Sequence, residues 1–470
     1  MHGYGIESII LVIAYLVFLL VIGFRYTKIV GSDAEDYLLM GRRLSLPAFV
    51  ASLVSTWYGG ILGVGEYSYK HGLSNWIVFG LPYYLAAFLF AIFLAKRAQK
   101  SMALTIPDQF EKVYGKNTAL LGAVFVFINA VPAAYILQVG VMGQSVFGIP
   151  LIPAVIFGAA FSVLYIYTGG LRGDVFTDII QFFLMFAGFM AIVAVLIFRY
   201  GFLDFLSANL PPQNLTWHGD KPFSYILVWY FIALATLVEP SFYQRCFASK
   251  SASAAKNGIL ISILFWAFFD FLTTFSGLYA RALMPNLSDP LTAYTELGAR
   301  YLPPVLQSLF LLGLFATVMS TVDSYALIAG QTIGKDIIGR LKKSGSLTSN
   351  QMTRYSRIGL VIACALGIVI ALYFRSVIDI WYNFGTLTTV ALLIPLANSF
   401  SSRPRMSSGL AIISMLVSTL VVLIWIIPNL AYGIEYFWGI EPIYPGLLVS
   451  SILYLYGYLK TSRQPSRVVE

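Results

Sequence analysis

Thr317, Ser320, Thr321 and Ser324 fall at i, i+3, i+4 and i+7, so a helix through them would carry its hydroxyls as one stripe. Asp323 sits in the same run, Met319-Ser-Thr-Val-Asp-Ser324. Neutral oxygens in register beside a carboxylate suit a hard cation, which takes oxygen ligands. A sodium ion held mainly by neutral oxygens can leave again. The plainer alternative is that each hydroxyl bonds back to its own helix or ties it to a neighbour. A second source of oxygens lies far upstream, where residues 51–65 carry hydroxyls at Ser52, Ser55 and Thr56 and glycines at 59, 60, 63 and 65. Those glycines either let helices pack closely or interrupt a helix, freeing carbonyls that line a polar cavity. Four in seven residues favour the interruption. Glu66, Asp178, Glu239 and Asp323 stand in otherwise apolar stretches, where charge is costly and marks a pathway.

The elements that must position these residues are membrane helices. Of the 470 residues, 59% are apolar and 11% charged, with a mean hydropathy of +0.80. Soluble domains run nearer ~25% charged. So little polar surface cannot cover a soluble fold of this size, and disorder needs the opposite composition. Apolar runs of the length that crosses ~30 Å of hydrocarbon occur thirteen times, at roughly 6–25, 47–67, 75–95, 118–145, 150–168, 173–199, 223–240, 257–283, 304–331, 355–374, 377–399, 408–428 and 443–460. The first is too long for a signal peptide and no small-residue cleavage site follows it. The span at 223–240 is short and ends at Glu239-Pro240. It lies five helices after the glycine-rich span, the spacing at which a five-plus-five inverted repeat would set two interrupted helices at its centre. The expected architecture is therefore an all-α membrane protein of 13 transmembrane helices. It divides into a leading helix and loop (1–46), two five-helix repeats (47–200 and 201–400), and two closing helices with a short tail (401–470).

The net charge of +9 lies between apolar runs rather than on one face, a topology signal and not a nucleic-acid footprint. With the N-terminus outside, 24 of the 30 basic residues fall in cytoplasmic segments, Arg245, Lys342 and Arg463 among them. Lys70, Arg199, Lys221, Arg281, Arg300 and Arg375 stay outside. The positive-inside rule then sets N-out, C-in in a plasma or inner cell membrane. The bilayer and a small organic solute are the expected partners, with no nucleic acid and no obligate protein partner. Cys246 and Cys364 form no disulfide framework or metal spacing. Gly330-Gln-Thr-Ile-Gly-Lys335-Asp336 imitates a phosphate loop, but has three residues between its glycines and Asp where Ser or Thr should stand. His2, His71 and His218 lack zinc-type partners, and the sequons at Asn214 and Asn286 match by chance often.

Four segments together carry a resemblance. Asp36-Tyr-Leu-Leu-Met-Gly-Arg-Arg43, Tyr167-Thr-Gly-Gly-Leu-Arg172 with Thr177-Asp-Ile-Ile-Gln181, Glu239-Pro-Ser-Phe-Tyr-Gln-Arg245 and Met319-Ser-Thr-Val-Asp-Ser324 resemble the sodium:solute symporter family in order and spacing, over roughly 35–400. That family includes carriers of proline, sugars, sialic acid, pantothenate and choline. The resemblance implies the leucine-transporter fold, which agrees with the spans and orientation read above. It also implies a sodium site built from the backbone carbonyls of Leu53, Thr56 and Thr317 and the side chains of Ser320 and Thr321. Sodium is the only metal expected, and no residue is catalytic. Some members hold a second sodium near the aspartate that matches Asp178. Asp178, Ser324 and Asp323 are thus the candidates for a second sodium or an exit path, although Asp323 stands where such members have serine. Asp178 either helps sodium leave toward the cytoplasm or caps neighbouring hydroxyls.

Other departures bear on the solute. Gly173 and Asp174 follow the loop glycines, where a small residue such as Ala is usual. Ile232 and Thr236 replace the aromatics of proline carriers, and span four lacks an arginine that could clamp a sialic-acid carboxylate. Trp57-Tyr58-Gly59-Gly60 followed by Glu66 resembles the choline carriers over a short stretch. Candidates for the cavity are Ser55, Trp57, Gly60, Gln138, Trp229, Tyr382 and Asn383. The function expected is secondary active transport, in which inward sodium movement drives solute uptake by alternating access. A membrane enzyme would need a nucleophile–base pair or metal cluster at membrane depth, where histidine is absent. A solute sensor on the same fold would carry a signalling domain, whereas ten residues follow Lys460. A channel would pass ion current without stoichiometric solute uptake.

Overall fold

The computed structural model describes residues 4–27, 34–342 and 347–462. Arg463 and His2 therefore lie outside the described residues. All regular structure among the described residues is helical, with one isolated bridge between Leu44 and Ser249 and no strand. Among the described residues nine helices are long and apolar enough to cross a membrane, and a bent pair makes a tenth. Ile6–Ile22 and Leu151–Leu164 are shorter apolar helices, and Ile443–Ser462 closes the described chain. The core runs through the bundle, with Pro304–Gln331 at its centre. This helix is packed mainly along Leu151–Tyr200, and every residue from Gly313 to Gln331 is buried.

Interruptions matter more here than spans. The glycine-rich span is the bent pair: Leu46–Trp57 ends, and Ile61–His71 restarts at 59° to it. Leu151–Tyr200 breaks at Gly170, whose φ of 56° and ψ of −164° lie outside the helical region. A Cβ there would fall 2.7 Å from the Tyr37 ring and 2.8 Å from its carbonyl, so only glycine fits this turn. Val131 is extended between Lys116–Ala130 and Ala133–Phe147, as the residue before Pro132 tends to be.

The fourth interruption corrects the sequence reading. Phe223–Ile232 tightens into a 3-10 stretch at Ala233–Val238, Glu239 is extended, and a helix restarts at Pro240–Ala248. Pro240 does not end the span. A proline at the first helical position loses no needed N–H, so the apolar segment runs on from Phe223 to Ala248. Arg245 is consequently no loop residue; it is completely buried.

At one end of the bundle an ion network joins Ile106–Tyr114 to the end of the central helix. Asp108 pairs with Lys335 and, at 2.7 Å, with Arg340. Arg340 also reaches Asp336 at 2.6 Å and Glu111 at 2.9 Å. The imitation phosphate loop is thus helix, with Asp336 taken up by Lys335, Arg340 and Thr105. Burial pushes the Asp108 carboxyl up, but Lys335 and Arg340 outweigh it and hold it below the ordinary 3.8. A depressed folded pKa means that this stabilisation is complete above pH ~4 and fades as pH falls through the folded value. Asp108→Asn should cost about 2 kcal/mol at pH 7, between an exposed and a fully buried pair. Thermal unfolding of the detergent-solubilised protein should show that gap closing toward pH 3; a gap independent of pH would remove the carboxylate's charge from the account.

Candidate functional site

A helix leaves its last four carbonyls without intrahelical partners. For Leu46–Trp57 these belong to residues 54–57. The central helix answers two of them. Ser320 Oγ donates to the Ser55 carbonyl at 2.9 Å, and Thr321 Oγ1 donates to the Thr56 carbonyl at 2.7 Å. Both hydroxyls also contact the Thr317 carbonyl, at 2.9 and 3.4 Å. Five neutral oxygens from two helices therefore converge, all on fully buried polar residues. Close approach depends on Gly59, because a Cβ there would lie 2.0 Å from Thr321 Oγ1. Thr317's own hydroxyl bonds back to Gly313 at 2.6 Å.

Ser55 stands here where the resemblance implied Leu53. Leu53 precedes the four orphan carbonyls, and the hydroxyls of Ser320 and Thr321 donate to the carbonyls of Ser55 and Thr56. Ser55 was expected in the cavity instead; its hydroxyl bonds to Ala51 at 2.9 Å.

One turn further along the central helix the chemistry changes from neutral to charged. Arg245 Nη2 lies 2.7 Å from Ser324 Oγ, 3.0 Å from Thr56 Oγ1 and 3.1 Å from Ser52 Oγ. It also lies 3.1 Å from Asp174 Oδ2 and 3.2 Å from Asp178 Oδ2. Five oxygens thus crowd one nitrogen that carries two hydrogens, as ligands crowd a cation. Ser324 donates to Asp174 at 2.8 Å and Ser52 to Asp178 at 2.6 Å, while Nη1 donates to Gln244 at 2.7 Å. Asp323, beside Ser324, is also buried. Burying two carboxylates is tolerable only with such pairing.

Next to the first break lies a cavity of about 150 Å³, a volume that can hold a benzene-sized molecule. Three of the helix interruptions meet it: Trp57, Tyr58 and Gly60 from the first, Asn129 and Val131 from the second, Ile232, Ala235 and Glu239 from the last. Of the 22 lining residues, eight are aromatic, and two are carboxylates, Glu239 and Asp270. Asp270 accepts hydrogen bonds from Tyr58 and Tyr84, and Glu239 caps Ser241 N at 3.3 Å.

Trp57 and Gly60 are the two cavity candidates that the structure places in its wall. Gln138 serves the break instead: its Oε1 accepts from Leu62 N at 2.8 Å, at the start of the second half-helix. Trp229 packs on Phe79 and near Tyr382, Tyr382 donates to Glu441, and Asn383 bonds to the Asp379 carbonyl at 2.8 Å. Glu66 pairs with Lys70 at 2.5 Å. Asp270 was legible by the rule that singled out Asp178, a carboxylate inside an apolar run. Trp381 and Phe384 carried no such signal.

The model of the sodium:solute symporter family matches residues 37–417. The chain is 25% identical to the sodium/pantothenate symporter of Escherichia coli (strain K12), over 96% of each chain. It is also 25% identical to the sodium/proline symporter of Staphylococcus aureus (strain JH9), covering 99% of this chain and 94% of that one. Among solved structures, a Na+-coupled sialic acid symporter in an outward-open state superposes with a TM-score of 0.77 at 17% identity, covering 96% of this chain and 98% of that one. Mhp1, a nucleobase-cation-symport-1 family transporter, superposes at 0.55 with 11% identity, over 91% and 94%.

Arg245→Ala should cost about 3–5 kcal/mol, because it strands two buried carboxylates. Adding Asp178→Asn should restore part of that loss, since paired residues are not additive. Thermal unfolding of the four proteins in the cycle gives the coupling; strictly additive losses would show that the two side chains do not depend on each other.

Proposed function

We infer the mechanism from the family: this chain belongs to the sodium:solute symporter family, and it is a membrane transporter that couples sodium entry to uptake of a small organic solute, not an enzyme. The convergence of Ser320 and Thr321 on the orphan carbonyls of the broken helix carries the site assignment. Sodium would take the carbonyl oxygens of Ser55, Thr56 and Thr317 with the hydroxyls of Ser320 and Thr321. Those oxygens already sit within hydrogen-bond reach of one another, and each hydroxyl has lone pairs to turn on a cation. Trp57, Tyr58 and Gly60 directly follow Ser55 and Thr56 and line the cavity. An ion that fixes the first pair therefore fixes the wall that the solute meets. One sodium moving inward across 100 mV supplies about 2.3 kcal/mol, enough for a roughly fifty-fold solute gradient.

Arg245 supports one ion per cycle. A guanidinium already stands among Asp174, Asp178 and Ser324, the oxygens from which the resemblance would build a second site. Asp178 then serves as its counter-ion. The architecture proposed is thirteen spans, one before and two after a five-plus-five repeat divided near residue 200. Two observations support it: helices interrupt at Trp57–Ile61 and again at Ala233–Pro240, and 23 basic residues remain on one side once Arg245 is taken into the bundle.

Ser320→Ala and Thr321→Ala should each raise the sodium concentration for half-maximal uptake tenfold or more, about 1.4 kcal/mol. Thr321→Ser, which keeps the oxygen, should be mild. Proteoliposome uptake measures this; if both alanine variants keep normal sodium dependence, the hydroxyls only bond to backbone. For orientation, cysteines at 342 and 221 are expected to react with an impermeant reagent from the cytoplasmic and external sides respectively. Labelling of position 342 from outside intact cells would reverse the topology.

A further inference from the structure

We propose that the solute is a small organic cation. This rests on the symport reading and names its substrate class. Among the described residues the cavity wall contains two carboxylates, Glu239 and Asp270, and no lysine, arginine or histidine. Arg245 is not in the wall, and its guanidinium is committed to Asp174 and Asp178. A solute that carries a carboxylate would therefore meet like charge with no basic group to receive it, whereas burying any charge requires a partner. The rest of the wall suits a cation as well. Trp57, Tyr58, Phe79, Tyr83, Trp381 and Phe384 belong to it, and aromatic faces attract cations most strongly when water is excluded. Tyr135 and Tyr325, 5.0 Å apart between ring centroids, close the side next to Glu239.

Asp270 and Glu239 play different parts. Both oxygens of Asp270 accept tyrosine hydroxyls, Tyr58 on one and Tyr84 on the other, so this carboxylate holds Tyr58 in the wall and adds a field at longer range. Glu239 stands at the non-helical residue between two half-helices, where its carboxylate accepts only the Ser241 backbone N–H, at 3.3 Å on Oε1, among the hydrogen bonds described, and the residue lines the cavity beside it. It is the counter-ion. Sodium and solute then enter as two positive charges per cycle, with the neutral oxygens keeping the first ion apart from the carboxylates that hold the second.

The test uses the full-length protein in proteoliposomes. Sodium-driven uptake is measured for tetramethylammonium, choline and methylguanidinium beside pantothenate and proline, and repeated with Glu239→Gln and Asp270→Asn. Thermal unfolding with sodium alone confirms that each variant is folded. At least one cation should be accumulated in sodium, with neither pantothenate nor proline taken up. Glu239→Gln should weaken its apparent affinity tenfold or more and Asp270→Asn by less. Uptake of a carboxylate solute with no cation transported, failure of every cation, or an unchanged cation affinity in folded Glu239→Gln would each overturn the inference and leave sodium symport standing. If sodium itself neither stabilises the protein nor drives any uptake, the symport reading falls and this inference with it.

Discussion

Inside hydrocarbon no water can satisfy a backbone N–H or carbonyl, so every break in a membrane helix must be answered by protein. This constraint organises the molecule. At the first break the orphan carbonyls of Ser55 and Thr56 are met by Ser320 and Thr321, and the Leu62 N–H in the first turn of the second half by Gln138. At the last, Glu239 caps the restarted helix at Ser241. The side chains that repair the breaks are polar, all of those named except Glu239 come from neighbouring helices, and they leave lone pairs at membrane depth. Gathered in one place, such repairs supply the oxygens of the proposed cation site and border the cavity.

Two kinds of electrostatics lie along the central helix, one turn apart. Neutral dipoles at Thr317, Ser320 and Thr321 can exchange a hydrogen bond for an ion at small cost, since a net protein hydrogen bond is worth only about 1 kcal/mol. The Arg245 cluster has no such freedom. Its charges lie on two separate segments, Pro240–Ala248 and Leu151–Tyr200, and the hydroxyls of Ser52 and Thr56 tie the broken helix to them. Separating them would strand unpaired charge. The fixed pair holds the broken helix against its neighbours, and the exchangeable oxygens sit where that helix stops.

Coupling follows from adjacency. The carbonyls of residues 55 and 56 face the hydroxyls and residues 57, 58 and 60 line the cavity, so the end of one half-helix and the break after it meet both. Gly59 stands between the two groups, and the absence of its side chain lets Thr321 reach the break. A change at either ligand needs no long path to be felt by the other.

Composition and periodicity are local properties, and what they could determine was accordingly local: apolar spans, the excess of basic residues on one side, the hydroxyl stripe of the central helix, and glycines that would break its partner. The resemblance of four motifs pointed to the family that the match over residues 37–417 then showed. Tertiary structure decided the rest, for a definite reason in each case. Which carbonyls are orphaned depends on where a helix ends, and Leu46–Trp57 ends late enough to offer Ser55 rather than Leu53. Whether Pro240 stops or restarts a helix depends on what receives Arg245, and apart from Gln244 its partners lie 67 to 193 residues away in the chain. The cavity wall is likewise drawn from the ends of several interrupted helices. No window of sequence contains Trp57, Glu239, Asp270 and Trp381 together; only the packing of the broken helices against one another does.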